Sequence, residues 1–192
     1  MKIFAIESSC DETSVCIIKE NKDILSHITY SQQEHAKFGG VIPELASRSH
    51  LQILQKITKK AFSEAKLNIC DIDFFCSTCG PGLIGGLLVG SIFTKSLAIG
   101  SKKPFFPINH LEAHLLSSTF NNNIQYPHLS FLLTGGHTQI YLINSINDYI
   151  LFRFFLIQNQ HLYKILTGRK PKKIQIITIL NLLLFSKKYR SN

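Results

Sequence analysis

The chain has 192 residues, 45% of them hydrophobic, and carries 21 lysines and arginines against 12 aspartates and glutamates, a formal net charge of +9. That much apolar material can bury a core, and the longest apolar run, 174 to 185, is broken by Gln and Asn and falls short of the roughly 20 residues that span a bilayer, so a membrane anchor is not expected. The charge does not describe a uniformly basic nucleic-acid binder either, since residues 1 to 150 hold 12 basic and 12 acidic side chains, while the last 42 residues hold 9 basic and none that are acidic.

Taken in chain order, "KIFAIESS" and "TSVCIIKE" are short runs rich in apolar and β-branched residues, split by the acidic turn "CDE", and "DILSHITYS" offers a third. This predicts an antiparallel meander. Pro43 then introduces "ELASRSHLQILQKITKKAFSEAK", where Leu45, Leu51, Leu54, Ile57 and Ala61 recur at roughly helical spacing and predict a long amphipathic helix. "DFFCSTC" reads as a strand that ends in "GPGLIGG", "LLVGSIFTKSLAIG" as a buried helix capped by Gly100, and "PFFPI" as a strand leading into a helix at "NHLEAHLLSS". The order predicts an α/β domain over residues 1–107. A second region, 108–152, begins with that last helix and continues with "HLSFLLTGGHTQIYLI", two strands around a Gly-Gly turn, and "INDYILF", a third strand echoing the first meander.

Residues 153–192 differ in kind. From Leu151 on, the chain lacks Ala, Val, Met and Cys and is built largely from Leu, Ile, Lys and Phe. That is the bias an AT-rich gene gives when read in the wrong frame, so an out-of-frame or decayed end is expected. A basic RNA-binding extension is the alternative. The five cysteines, Cys10, Cys16, Cys70, Cys76 and Cys79, form no even framework, and no secretory signal precedes the first strand, so a reducing cytoplasm is expected. Cys76-x-x-Cys79 could be a redox pair or half a zinc site, but with no second pair of this spacing buried strand cysteines are the preferred reading.

Three constellations could carry chemistry. Asp11 and Glu12 sit in the tight turn after the first strand, where paired carboxylates can hold a magnesium-bound phosphate or act as general base, against the plain alternative of a solvated turn. Glycine clusters at 80 to 86 and 134 to 138 let a backbone approach a bound phosphate or carboxylate, although neither fits the phosphate-loop or dinucleotide fingerprint. His110 and His114 fall about one turn apart on one helix face, the spacing two ligands need to share a metal such as iron or zinc, with a third ligand required from elsewhere. Glu112 is rotated by roughly 200° from His110, so it cannot serve as the adjacent base of an HExxH protease. His27, His50, His128 and His161 show no evident partner, His35 falls in a predicted loop, and His137 stands out only for its place beside Gly136.

"FAIESSCDETSVCI", "YSQQEHAKFGGVIPELASRSH", "TCGPGLIGGLLVG", "NHLEAHLLS" and "LLTGGHTQIYLI", in this order, resemble the tRNA N6-adenosine threonylcarbamoyltransferase family (TsaD, also Gcp, formerly O-sialoglycoprotein endopeptidase) over about residues 1 to 150. The resemblance implies the α/β actin-like ATPase and sugar-kinase (ASKHA) fold, with the first lobe complete and the second truncated. It implies transfer of a threonylcarbamoyl group from threonylcarbamoyl-AMP to N6 of adenosine 37 in tRNAs reading codons that start with A. It makes His110 and His114 two ligands of an active-site iron, one Fe2+ per subunit, with zinc as the alternative. Leu132, Leu133, Thr134, Gly135 and Gly136 become the strand and turn that hold the adenylate, with Thr134 where Ser is usual, and Asp11 and Glu12 the acidic pair near the reacting centre. In that chemistry a metal polarises the carbamoyl group, backbone amides hold the phosphate, and a carboxylate takes the N6 proton.

After "DYILF" the family's acidic helix, its Gly-Pro turn and the aspartate that completes the iron site have no counterpart here, so loss of much of the second lobe and an impaired catalyst are expected. The implied partners are tRNA, threonylcarbamoyl-AMP and TsaB-like and TsaE-like proteins. A non-catalytic TsaB-like scaffold and a non-functional pseudogene product are the rival readings, and metal affinity separates the enzyme from the scaffold.

Overall fold

The structure, a computed structural model, describes residues 1–120, 122–133 and 138–155. The basic tail from residue 156 on and the Gly-Gly turn at 134–137 lie outside the described residues, while the tail's first three residues, 153–155, are the end of a strand.

Three strands open the chain, β1 (Lys2–Glu7), β2 (Glu12–Lys19) and β3 (Ile24–Ser31), paired antiparallel with Ala5 opposite Cys16 and Cys16 opposite His27. They form the expected meander. β1 and β2 are buried almost throughout, which is why their sequences read as continuous apolar runs rather than alternating ones; β3, at the edge, alternates. β4 (Phe74–Gly80) adds parallel to β1 and β5 (Phe105–Asn109) parallel to β4, giving the sheet order β3-β2-β1-β4-β5. Parallel pairing needs crossovers, and these are the helices α1 (Pro43–Ala65) and α2 (Ile84–Gly100).

α1 starts with Pro43 in its first turn, where a missing N–H costs nothing, and stops at Lys66, whose left-handed φ of 54° turns the chain back so that its N–H reaches the Ser63 carbonyl at 3.2 Å. Its buried side is Ala46, His50, Leu54, Ile57, Thr58 and Ala61. Two of the leucines expected in the apolar stripe are therefore outside it: Leu45 is exposed and Leu51 is 70% exposed. The true stripe steps by four and three residues from Ala46 through His50, and a polar ring is tolerated in it because both of its nitrogens find partners. The core of the sheet gathers Phe4, Ile6, Val15, Ile17, Leu54, Ile57 and Phe75, with Phe4 stacked on Phe62 at 5.4 Å.

α2 departs from expectation in two ways. It is not buried all round: Gly86, Leu87, Gly90, Thr94 and Ala98 face inward, while Ile84, Leu88, Ile92 and Ile99 are exposed. The small residues face the sheet because that side must approach the backbone closely. Nor does Gly100 cap it, since Gly100 is the last helical residue and Ser101 closes the end, its N–H and hydroxyl both donating to the Leu97 carbonyl at 3.0 and 2.7 Å.

α3 (His110–Leu116) follows β5 directly and runs into a 3-10 turn at Ser117–Thr119. A second, antiparallel sheet follows: β6 (His128–Leu133), β7 (Thr138–Ser145) and β8 (Asp148–Phe155), with Leu132 opposite Gln139 and Tyr141 opposite Leu151. Leu132, Tyr141 and Ile143 are buried. The chain divides into two compact units, one running from Met1 to Ala113 and the other beginning at His114. Among the described residues no helix is long and apolar enough to cross a membrane.

Candidate functional site

In the first unit the parallel strands β1, β4 and β5 end at the same edge of the sheet, where α/β folds place their ligands. β1 ends in Glu7, a carboxylate only 2% exposed. It accepts a hydrogen bond from the Ser9 N–H at 2.6 Å and another from the Thr78 hydroxyl near the end of β4, and His110 Nδ1 lies 3.5 Å from its Oε2. Burial pushes the Glu7 carboxyl toward a higher pKa, but the hydrogen bond and charge of His110, then the bonds from Ser9 and Thr78, outweigh it and leave the group below its ordinary value. Glu7 is thus a buried, ionised anchor.

His110 is held from the same side by the Ser9 hydroxyl, whose Oγ is 3.1 Å from Nδ1. Its place at the first position of α3 is set by Asn109, which caps the helix by accepting from the Leu111 and Glu112 N–H groups at 2.9 and 3.2 Å. His114 follows one turn later in the same helix, and its carbonyl accepts from the Ser117 hydroxyl at 2.7 Å. Among the described residues no group of three His, Cys, Asp or Glu side chains is arranged to hold a metal ion. Two imidazoles on one helix are half of a ligand set, so the described residues alone do not fit a resident metal, and no chemical step is derived through one.

Asp11 and Glu12 occupy the turn from β1 into β2 and are 8% and 7% exposed, so this is not a solvated turn. The Glu12 carboxylate accepts from the Ser31 hydroxyl at 2.7 Å, and the Asp11 carbonyl from the Gln32 N–H at 3.1 Å. Beneath the turn lies His50, fully buried, with Nδ1 2.7 Å from Thr13 Oγ1 and Nε2 3.1 Å from the Cys10 carbonyl. His35 is not in an open loop but in a 3-10 turn, Gln33–Phe38, buried between Gln32 Oε1 at 2.8 Å and the Ile42 N–H at 3.3 Å. His27 and His128 also have partners, Thr29 Oγ1 and the Gln125 carbonyl; His137 and His161 lie outside the described residues.

The glycines of "GPGLIGG" press α2 onto this turn. A Cβ on Gly82 would lie 2.7 Å from the Ser9 carbonyl oxygen and one on Gly86 would strike the Ser8 carbonyl, while the Leu83 N–H already donates to Ser9 at 2.7 Å and the Ser8 hydroxyl to Gly86 at 2.9 Å. The cluster serves helix-to-loop packing. Of the residues expected to hold the adenylate, Leu132 is buried in β6 and the Leu133 backbone pairs with Thr138; Thr134, Gly135 and Gly136 lie outside the described residues. Cys76 is buried and Cys79, beside a register shift in β4, is exposed, so the expected pair of buried strand cysteines holds for Cys76 and not for Cys79.

Sequence reasoning missed Glu7, Ser9, Thr78 and His50. The signal for Glu7 was present: a carboxylate directly after the apolar run Ile3 to Ile6. That for His50 was its place four residues from both Ala46 and Leu54.

Known proteins share this architecture. A Pseudomonas aeruginosa protein described as similar to the peptidase YeaZ superposes with a TM-score of 0.54 at 18% identity, over 78% of this chain and 62% of that one. YeaZ from the same organism gives 0.51 at 16%, over 79% and 68%. At such identities the likeness speaks for the fold alone, an α/β fold of the actin-like ATPase and sugar-kinase type. Residues 23–161 match the family model of TsaD, tRNA N6-adenosine threonylcarbamoyltransferase. A protein of that name from Rickettsia rickettsii (strain Sheila Smith) is 51% identical over 150 residues, 78% of this chain and 44% of its own length. One from Wolbachia sp. subsp. Drosophila simulans is 45% identical over 148 residues, 77% and 44%. The chain belongs to the tRNA N6-adenosine threonylcarbamoyltransferase family and spans about 44% of the length of these relatives.

Proposed function

We propose that these residues build the first part of a tRNA-modifying acyltransferase that moves threonylcarbamoyl from threonylcarbamoyl-AMP to N6 of adenosine 37. The observation that carries the reading is the contact between Ser9 and His110, 101 residues apart, which ties the carboxylate turn to the start of the histidine helix at one edge of the sheet. In the reaction the N6 nitrogen bonds to the carbamoyl carbon, the carbon–oxygen bond to the phosphate breaks, and AMP leaves with the electron pair. The N6 proton passes to a carboxylate of the Asp11–Glu12 turn. Ser31 and Gln32 fix that turn, which favours a positioned base over a mobile one.

On the family resemblance His110 and His114 would be two ligands of an iron, which the described residues alone do not complete. Leu132, Leu133, Thr134, Gly135 and Gly136 line the adenylate. The reading places the protein in the cytoplasm with TsaB-like and TsaE-like partners. For the former, α1 and α2 offer an apolar groove of about 510 Å³ in which Leu51, Leu88 and Ile92 are exposed.

The test joins residues 1–150 of this chain to the C-terminal part of the Rickettsia rickettsii relative and measures threonylcarbamoyl-adenosine in tRNA by nucleoside mass spectrometry. The chimera should transfer at a rate near the parent's, and replacing the acidic pair (Asp11→Asn with Glu12→Gln) should cut that rate by about 10²-fold or more. A folded chimera that makes no product, or an acidic-pair variant as fast as the chimera, would reject the reading.

A further inference from the structure

We propose that His50 is the positioning residue of the Asp11–Glu12 turn, clamping it from α1 with one hydrogen bond on each side of the two carboxylates. The case begins with donor chemistry. A carbonyl oxygen only accepts, so the 3.1 Å contact between Nε2 and the Cys10 carbonyl puts the ring proton on Nε2. Nδ1 of the neutral ring is then a lone pair, and the Thr13 hydroxyl, 2.7 Å away, donates to it. The two contacts define one tautomer and one ring orientation, and their partners, Cys10 and Thr13, bracket Asp11 and Glu12 in the chain.

The surroundings are shaped for this ring. His50 is fully buried, as is Thr13. Gly86 lets α2 pass close by, since a Cβ there would come within 3.0 Å of the ring's Cδ2 and Nε2. Burial holds the His50 pKa below its ordinary value and so favours the neutral form that the two bonds require. Further holds on the turn come from the β3 side, through Ser31 on Glu12 and the Gln32 N–H on Asp11, and from the start of α2, where the Leu83 N–H donates to the Ser9 carbonyl. His50 is the hold from α1, and its two bonds are the ones that bracket the carboxylates. A ring that merely filled the apolar stripe of α1 would need no partners in this turn and could be exchanged for leucine without freeing it.

The proposal deepens the transferase reading and rests on it for the role of the two carboxylates. Its test uses the full 192-residue chain with readouts that need no reaction, so either idea can fail while the other stands. In 15N spectra of the imidazole, His50 should carry its proton on Nε2. Amide hydrogen exchange at Asp11 to Thr13 should speed up about tenfold in His50→Leu, the effect of losing a buried hydrogen bond, with the β1 and β4 amides unchanged. His50→Gln, whose amide reaches the Cys10 carbonyl, should restore most of the protection, and Thr13→Val should lose part of it. A proton on Nδ1, exchange at the turn that is the same in His50→Leu as in the parent, or acceleration spread evenly over the sheet would overturn the proposal. Should His50→Leu not fold, His50→Gln and Thr13→Val decide by the same criteria.

Discussion

Gly86 shows how little space lies behind the carboxylates. An added methyl there meets the Ser8 carbonyl, and backbone cannot rotate aside as a side chain can. Gly86→Ala should therefore destabilise the protein by about 1–3 kcal/mol in urea titration, even though alanine is the better helix former. Gly100→Ala is the control: nothing lies within 4 Å of the new carbon, so the change should be neutral or stabilise by about 0.4–1 kcal/mol. Equal effects at the two sites would mean that α2 is not pressed against the turn. The cysteines divide in the same way. Burial pushes the Cys16 thiol up to about 12 and Cys76 well above its ordinary value, whereas Cys70 and Cys79 are exposed. Brief alkylation at pH 8 followed by mass spectrometry should label Cys70 and Cys79 and spare Cys16 and Cys76 until the chain unfolds. Native labelling of Cys76 would contradict the placement of β4.

At the scale of elements, α1 separates what a sequence displays from what packing selects. Its leucines lie on both sides of the helix, so apolar spacing alone admits two stripes, and the one facing the sheet contains Ala46 and His50 instead of Leu45 and Leu51. Leu54→Ala should cost about 2–5 kcal/mol, and Leu51→Ala, on the exposed side, no more than about 0.5 kcal/mol. A similar loss at both positions would place Leu51 in the core. Element existence was legible because the signals are local: β-branched runs for β1 to β3, Pro43 at the first position of α1, Asn109 before His110. The inward face of α2 was not, since a helix apolar all round carries no stripe, and its glycines make sense only once Ser8 and Ser9 are seen beneath them.

For the whole molecule, the candidate site was legible where motifs are contiguous, as with Asp11–Glu12 and His110–His114, and hidden where it is assembled from distant strands, as with Glu7, Thr78 and His110. The assembly leaves a thermodynamic trace through His50. Desolvation sets its folded pKa below the ordinary 6.5, the hydrogen bond to Cys10 and the charges of Glu7 and Asp11 only partly offset this, and His35 adds to the depression. Near pH 6.5 and below, the unfolded chain then binds a proton that the folded chain refuses. This contribution to stability is fully present above the unfolded pKa, and falls with pH by up to about 1.4 kcal/mol per unit until the folded pKa is reached. Carboxylates add their own acid dependence, so the informative quantity is a difference. Between pH 7.5 and 5.5 the urea midpoint of the parent should fall more steeply than that of His50→Gln, which has no group to titrate at this site. Parallel profiles would mean that His50 takes up its proton as readily folded as unfolded, and the buried neutral ring beneath the carboxylate turn would then be wrong.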